Sequence, residues 1–161
     1  MSNEQVAFRQ YQATDNQQVK HLHEIALRAT QAFDEWQWDK YDHDLDDIET
    51  FYMDNHGNFL VGLIGEKIVA MGAFCRLDVT TAKLRRMRVD PELQGQGIGR
   101  SLLTLLEKQI VDHGYTSIEL NTTINQVAAQ KLYENTGYQE IRRETEGWPM
   151  ELIIYRKELS S

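Results

Sequence analysis

Gln94-Gly95-Gln96-Gly97-Ile98-Gly99 places three glycines at alternate positions, between Met87-Arg88-Val89-Asp90-Pro91 and an apolar run that starts at Leu102. Glycines at a strand-to-helix junction remove side chains and leave bare amide N–H groups at a helix N-terminus, an arrangement suited to a phosphate. The two commonest nucleotide loops do not fit. A P-loop needs Gly-x-x-x-x-Gly-Lys-Ser/Thr, but Gln94 stands at the first glycine and Arg100 at the lysine. The dinucleotide fingerprint Gly-x-Gly-x-x-Gly puts Arg100 at its third glycine when counted from Gly95, and Leu102 when counted from Gly97. A glycine turn that only admits close helix-to-strand packing is the alternative reading.

Other chemistry-bearing residues are sparse. The single cysteine, Cys75, reads as a small buried hydrophobe in a strand, with no histidine near it in sequence to activate it. Of the five histidines, His21 and His23 diverge on a helix while His43, His56 and His113 are scattered, so no metal is expected. Residues 34–47 hold Asp34, Glu35, Asp39, Asp42, Asp44, Asp46 and Asp47 with Trp36, Trp38 and Tyr41 interleaved.

The elements that must position these residues follow from periodicity. Residues 6–11 read as a strand, and a helix capped near Thr14-Asp15 runs to about Ala32, its buried face marked by Leu22, Ile25, Ala26 and Ala29. A short helix is expected over residues 45–53. Strands over 59–64, 67–76 and 83–89 form an antiparallel meander, with Gly65-Glu66 as a hairpin turn and Asp90-Pro91 ending the last strand. Ile98, Leu102, Leu105, Leu106 and Ile110 mark an amphipathic helix closed by Gly114. A strand over 117–122, a helix from near Asn125 to Gly137, and strands over 138–143 and 151–157 complete the chain. Residues 83–122 make a crossover unit, so the strands near Val89 and Leu120 should be parallel.

At 161 residues with no repeat or linker, a single domain over 1–161 is expected. A net charge of −8 and a pI near 5.1 argue against nucleic-acid or anionic-membrane partners. Residues 1–20 lack an apolar run and no segment approaches the roughly 20 apolar residues of a membrane span, so a soluble, cytoplasmic protein is expected.

The Met87–Pro91 segment, the glycine loop with Arg100-Ser101-Leu102-Leu103, and then Asn125, Ala128, Leu132-Tyr133-Glu134 and Gly137-Tyr138 together resemble the GNAT superfamily of N-acetyltransferases. The likeness is close over residues 83–138 and holds in outline along the chain. It implies an α+β fold with a central, mixed but mostly antiparallel sheet of about six or seven strands and helices on both faces. It further implies that Gln94 and the amides of Gly95, Gln96, Gly97, Ile98, Gly99 and Arg100 grip the pyrophosphate of acetyl-CoA, which serves as acyl donor. The backbone of Met87 and Val89 would pair with the pantetheine arm where the parallel strands splay at a bulge, with the Met87 N–H as oxyanion donor. Asn125 matches a side chain that meets pantetheine, and also suits a helix cap. Tyr133 matches the tyrosine that protonates the departing thiolate, and also fits the buried face of its helix.

The other half of the reaction is less defined. Many relatives place a glutamate on the strand before the loop, whereas residues 82–89 carry no carboxylate. Glu119 on the neighbouring strand is the candidate base, with a solvent-facing or cation-paired role as the alternative and the 34–47 carboxylates as runner-up. The resemblance places residues 34–47, and the 142–150 stretch with Trp148, around the acceptor. Their carboxylates and indoles suggest a cationic amine, small-molecule or peptide, against the plainer reading of a solvated acidic loop. A homodimer is left open. The competing function is a non-catalytic acyl-CoA sensor that keeps the donor loop without turnover.

Overall fold

Seven strands form one sheet in the order β1-β2-β3-β4-β5-β7-β6 in the computed structural model, which describes residues 5–30, 43–145 and 150–159. The strands are β1 (Ala7–Gln10), β2 (Asn58–Ile64), β3 (Lys67–Arg76), β4 (Thr81–Val89), β5 (Ser117–Thr123), β6 (Gln139–Glu144) and β7 (Leu152–Glu158). The helices are α1 (Asn16–Ala29), α2 (Ile48–Phe51), α3 (Ile98–Asp112) and α4 (Val127–Glu134). Every neighbouring pair is antiparallel except β4 and β5.

The sheet is covered on both faces because its strands alternate between two cores. Leu60, Phe74, Leu84, Ile118, Leu120 and Tyr155 point to one face and pack on Leu102, Leu106 and Ile110 of α3 and Tyr133 of α4. Phe59, Val61, Met71, Ala73 and Cys75 point to the other and meet Val19 and Leu22 of α1 and Ile48 of α2. Burial on both sides is why β3 reads as an unbroken apolar run. Burial also pushes the Cys75 thiol up, which leaves it inert. The single short helix expected over 45–53 is instead broken: a 3-10 turn over His43–Asp46, α2, and a second 3-10 turn over Met53–Asn55. Four aspartates and Asn55 in that stretch favour caps and turns over a continuous helix.

The crossover unit is parallel as expected, but only over Thr81↔Ser117, Ala82↔Ile118 and Lys83↔Glu119. Beyond Lys83 the two strands part. β4 stays with β3 as far as Val89 opposite Ala70, while β5 stays with β7 as far as Thr123 opposite Leu152. Residues 84–89 and 120–123 therefore flank an opening in the sheet.

A bulge starts this divergence. Ala73 faces Arg85 and Met71 faces Arg88, so Gly72 alone opposes both Arg86 and Met87. Arg86 has a φ of 62°, a left-handed conformation that a side chain rarely adopts. Gly72 makes room for the extra residue, since a Cβ there would lie 2.6 Å from Met87 Sδ and 2.8 Å from Leu106 Cδ1. We expect Gly72→Val to lower the stability measured by urea unfolding by about 1–3 kcal/mol through overpacking.

Candidate active site

The opening leads into a cleft of about 220 Å³. Met87, Arg88 and Val89 of β4 form one wall, residues 93–95 and 97–100 the floor, and Gln126, Ala128, Ala129, Leu132 and Tyr133 the far wall. Ala26 and Thr30 at the end of α1 complete the rim.

The floor is built to receive an anion. Gly95 and Gly97 have φ of 85° and 82°, and nothing lies within 4 Å of a Cβ on either, so only the backbone conformation demands glycine there. Gly97 is the residue before α3 and offers no side-chain cap. The first helical bond runs from the Ser101 N–H to the Gly97 carbonyl at 3.0 Å, which leaves the amides of Ile98, Gly99 and Arg100 without an intrahelical acceptor. Arg100 occupies the first turn, where no acidic side chain is present and where the helix dipole favours negative charge. A cation at the positive end of a helix makes sense once an anion shares the site. Gly97→Ala imposes a left-handed penalty of about 1–2 kcal/mol and turns these amides aside. We expect the calorimetric Kd for acetyl-CoA to rise about tenfold, the equivalent of 1.4 kcal/mol.

Met87 sits in the bulge with no register partner on β3 or β5. Its carbonyl accepts a hydrogen bond from Arg88 Nη1 at 2.9 Å, while Arg88 Nε donates to His23 Nδ1 at 3.3 Å. Arg88 thereby stiffens the bulged backbone from the α1 side.

Tyr133 lies on the buried face of α4, its ring centroid 5.5 Å from that of Tyr138 and 6.0 Å from that of Tyr155. Its hydroxyl differs from those of the other described tyrosines. Tyr11 accepts from Asn16, Tyr52 donates to Asp44, Tyr115 to the His56 carbonyl, Tyr138 to Glu107 and Tyr155 to Glu134. Tyr133 makes no hydrogen bond among the described residues, yet lines the cleft. Burial pushes its phenol above the ordinary 10.0, only partly offset by Arg88.

Other expected site residues fall differently. Gln94 lines the floor, whereas Gln96 is exposed and outside the lining. Asn125 is exposed, and its neighbour Gln126, the residue preceding α4, lines the cleft instead. Glu119 is buried on the α1 side of the sheet and does not line the cleft. Its oxygens lie 3.4 Å from Arg142 Nη2 and 3.4 Å from Arg156 Nη1. Trp36, Trp38, Tyr41, Trp148, Asp34, Glu35, Asp39 and Asp42 lie outside the described residues.

The aspartates of the acidic segment that are described are engaged. Asp44 accepts from Arg86 Nε at 2.9 Å, Arg86 Nη2 at 2.5 Å, and Tyr52. Asp46 pairs with Lys20 and His43, and Asp47 caps α2 through the Thr50 N–H. Sequence reasoning missed Ala26, Thr30 and Gln126, and treated the basic run Lys83, Arg85, Arg86 and Arg88 only as a missing carboxylate. The signal was present, since Lys83 and Arg85 alternate onto one face of β4.

A strand pair opened by a bulge, with a glycine-rich helix N-terminus beneath it, forms a cleft whose shape and polarity suit a phosphorylated, strand-like ligand. Residues 13–138 match the acetyltransferase (GNAT) family, and the chain belongs to it. It is 35% identical over 109 residues to the N-acetylaspartate synthetase of Danio rerio, a match covering 66% of this chain and 38% of that protein. The chain thus corresponds to well under half of that relative. A GNAT-family acetyltransferase from Staphylococcus aureus superposes with a TM-score of 0.85 at 21% identity, covering 97% of this chain and all of the other. The PaiA N-acetyltransferase of Thermoplasma acidophilum, solved in complex with coenzyme A, superposes with a TM-score of 0.79 at 16% identity over 96% of this chain and 99% of its own. Among the described residues, no helix is long and apolar enough to cross a membrane, and no three His, Cys, Asp or Glu side chains group to hold a metal ion.

Proposed function

We propose that the chain catalyses direct acetyl transfer from acetyl-CoA to a primary amine of a small molecule or peptide, with no covalent enzyme intermediate. The observation that carries this reading is the Tyr133 hydroxyl, which lies at the cleft wall without a partner among the described residues, while every other described tyrosine has one. A sensor needs the glycine loop but has no use for an uncommitted acid beside it.

In this reading the amides of Ile98, Gly99 and Arg100, with Gln94 and the Gly95–Gly97 turn, hold the donor's pyrophosphate. Met87 and Val89 take the pantetheine arm along the open edge of β4. The neutral amine forms a bond to the thioester carbonyl carbon, and the carbonyl oxygen gains negative charge opposite the Met87 N–H. As the C–S bond breaks, Tyr133 gives its proton to sulfur, the attacking nitrogen releases one proton to solvent, and Tyr133 regains one from solvent. The phenol hydrogen-bonds the sulfur as negative charge gathers on it and passes its proton as the C–S bond breaks. If the amine arrives as an ammonium, one further proton leaves to solvent, and the products are the N-acetyl amine and the free thiol. Glu119, with an arginine 3.4 Å from each of its oxygens, is held in the cation-paired arrangement that is the alternative to a base.

Of the carboxylates expected to favour a cationic acceptor, Asp44, Asp46 and Asp47 are already committed, and the others lie outside the described residues. The name of the Danio rerio relative points to an amino acid as acceptor in that protein. An amino-acid or peptide amine is the acceptor class proposed for this chain. Thiol release across an amine panel, with mass spectrometry of the acetylated product, tests the reading. Tight binding of acetyl-CoA with no acetylated product from any amine would favour the sensor.

A further inference from the structure

Six basic side chains project from the sheet around the point where β4 and β5 part: Lys83, Arg85, Arg86 and Arg88 of β4, Arg142 of β6 and Arg156 of β7. In a chain of net charge −8 this local excess needs a reason. Most of these cations have identified partners. Arg86 takes Asp44, Arg88 takes His23 and the Met87 carbonyl, Arg156 takes Glu158, Ser117 and Glu119, and Arg142 takes Glu144 and Glu119.

Two cations are left over. Among the described residues Arg85 approaches only Asp44, at 3.8 Å, and that carboxylate already accepts two bonds from Arg86 and one from Tyr52. Lys83 has no hydrogen bond or ion pair among the described residues, although it is half-buried. Burial, and then the charge of Arg85, push its ammonium down, with Glu119 opposing and Arg142 adding to the repulsion. An incompletely hydrated ammonium beside guanidinium groups, opposed by a Glu119 carboxylate that two arginines already share, is a destabilised arrangement that a further anion relieves.

Position supplies the second half of the argument. Lys83 and Glu119 form the last rung of the parallel pair, so Lys83 stands at the apex of the opening. Lys83 and Arg85 face the α1 side, opposite the Ala82 and Leu84 side chains that enter the α3 core. Arg85 lies roughly 7 Å along the strand from Met87 at about 3.3 Å per residue. Arg85 thus stands beside the place proposed for the reacting carbonyl and Lys83 about 13 Å from Met87 along the strand, at the apex, and neither lines the donor cleft.

We propose that Lys83 and Arg85, with Arg142 at the side, bind a carboxylate carried by the amine acceptor, so that the substrate class is an anionic amino acid or acidic peptide amine. This rests on the acetyl-transfer reading above for its chemistry. Glu119 orients Arg142 and Arg156 beneath the carboxylate instead of acting as the base.

The test compares aspartate and glutamate with asparagine, glutamine, their decarboxylated amines and a polyamine, by turnover and by calorimetric binding to the protein–coenzyme A complex. Carboxylate-bearing amines should be preferred. Lys83→Met and Arg85→Met should each lower kcat/KM for them by 10- to 100-fold, mainly through KM, without changing acetyl-CoA affinity, and Lys83→Arg should restore most of it. Thermal unfolding should show no loss of Tm in Lys83→Met, because the methionine removes a poorly compensated charge. Turnover without preference for a carboxylate, or with both methionine variants unaffected, overturns the docking site and leaves acetyl transfer standing. Carboxylate binding that the variants abolish, with no transfer to any amine, overturns the transfer reading and leaves the docking site standing. Neither binding nor turnover overturns both.

Discussion

Tyr133→Phe is expected to lower kcat for acetyl transfer by about 10²- to 10⁴-fold, the range for loss of a positioned proton donor, with little change in acetyl-CoA affinity. The substitution isolates chemistry from folding. Phenylalanine keeps the ring packed against Tyr138 and Tyr155, and the lost hydroxyl leaves no described donor or acceptor orphaned. Unfolding free energy should therefore change by less than about 1 kcal/mol, unlike removal of a bonded tyrosine hydroxyl. A stability loss matching the activity loss would assign Tyr133 to the core alone.

The pH dependence follows from the direction of its shift. A general acid must be protonated, and burial holds the Tyr133 pKa above its ordinary 10.0. Its deprotonation cannot inhibit until the pH exceeds that value, so the kcat profile should show no falling limb from this group below about pH 10. A limb near pH 8–9 that disappears in Tyr133→Phe would contradict the assignment.

What the sequence disclosed depended on how locally each feature is determined. β3 has the boundaries expected for it because alternation into two cores makes an apolar run ended by Lys67 and Arg76. The loop was legible because only glycine adopts the positive φ of Gly95 and Gly97 without strain. Tyr133 could be placed on a buried helix face by spacing, but its unshared hydroxyl could not, since that depends on which partners Tyr138 and Tyr155 find elsewhere. The acidic segment is legible only in part for the same reason: Asp44 turns inward to a guanidinium 42 residues away in sequence, while Asp34, Glu35, Asp39 and Asp42 lie outside the described residues. Nothing local marks Arg86 as the residue that adopts a left-handed φ, because the force that holds it there comes from another element.

That remote contact carries the other large effect. Asp44→Ala is expected to destabilise the protein by about 3–5 kcal/mol in urea unfolding, as for other buried pairs that lose one partner. Arg86 Nε and Nη2 would lose the carboxylate they donate to, and the Tyr52 hydroxyl would lose its acceptor. Burial alone would raise the Asp44 carboxyl, but the hydrogen bonds and charge of Arg86, helped by Arg85 and Tyr52, outweigh it and hold it lowered to about 2. Because the folded pKa lies below the ordinary 3.8, this stabilisation is full above that value and is lost as pH falls towards 2. It amounts to about 2 kcal/mol, and the stability gap between wild type and Asp44→Ala should narrow by that much across the same window. The functional consequence is separate from the loss of stability. Asp44 anchors the one residue in β4 with a positive φ, and that residue begins the bulge that frees Met87 from both neighbouring strands. Under conditions where the variant remains folded, KM for acetyl-CoA should rise because the open edge of β4 is no longer held. A variant that is less stable yet binds acetyl-CoA as tightly as the wild type would show that the bulge is set by the Gly72 packing alone.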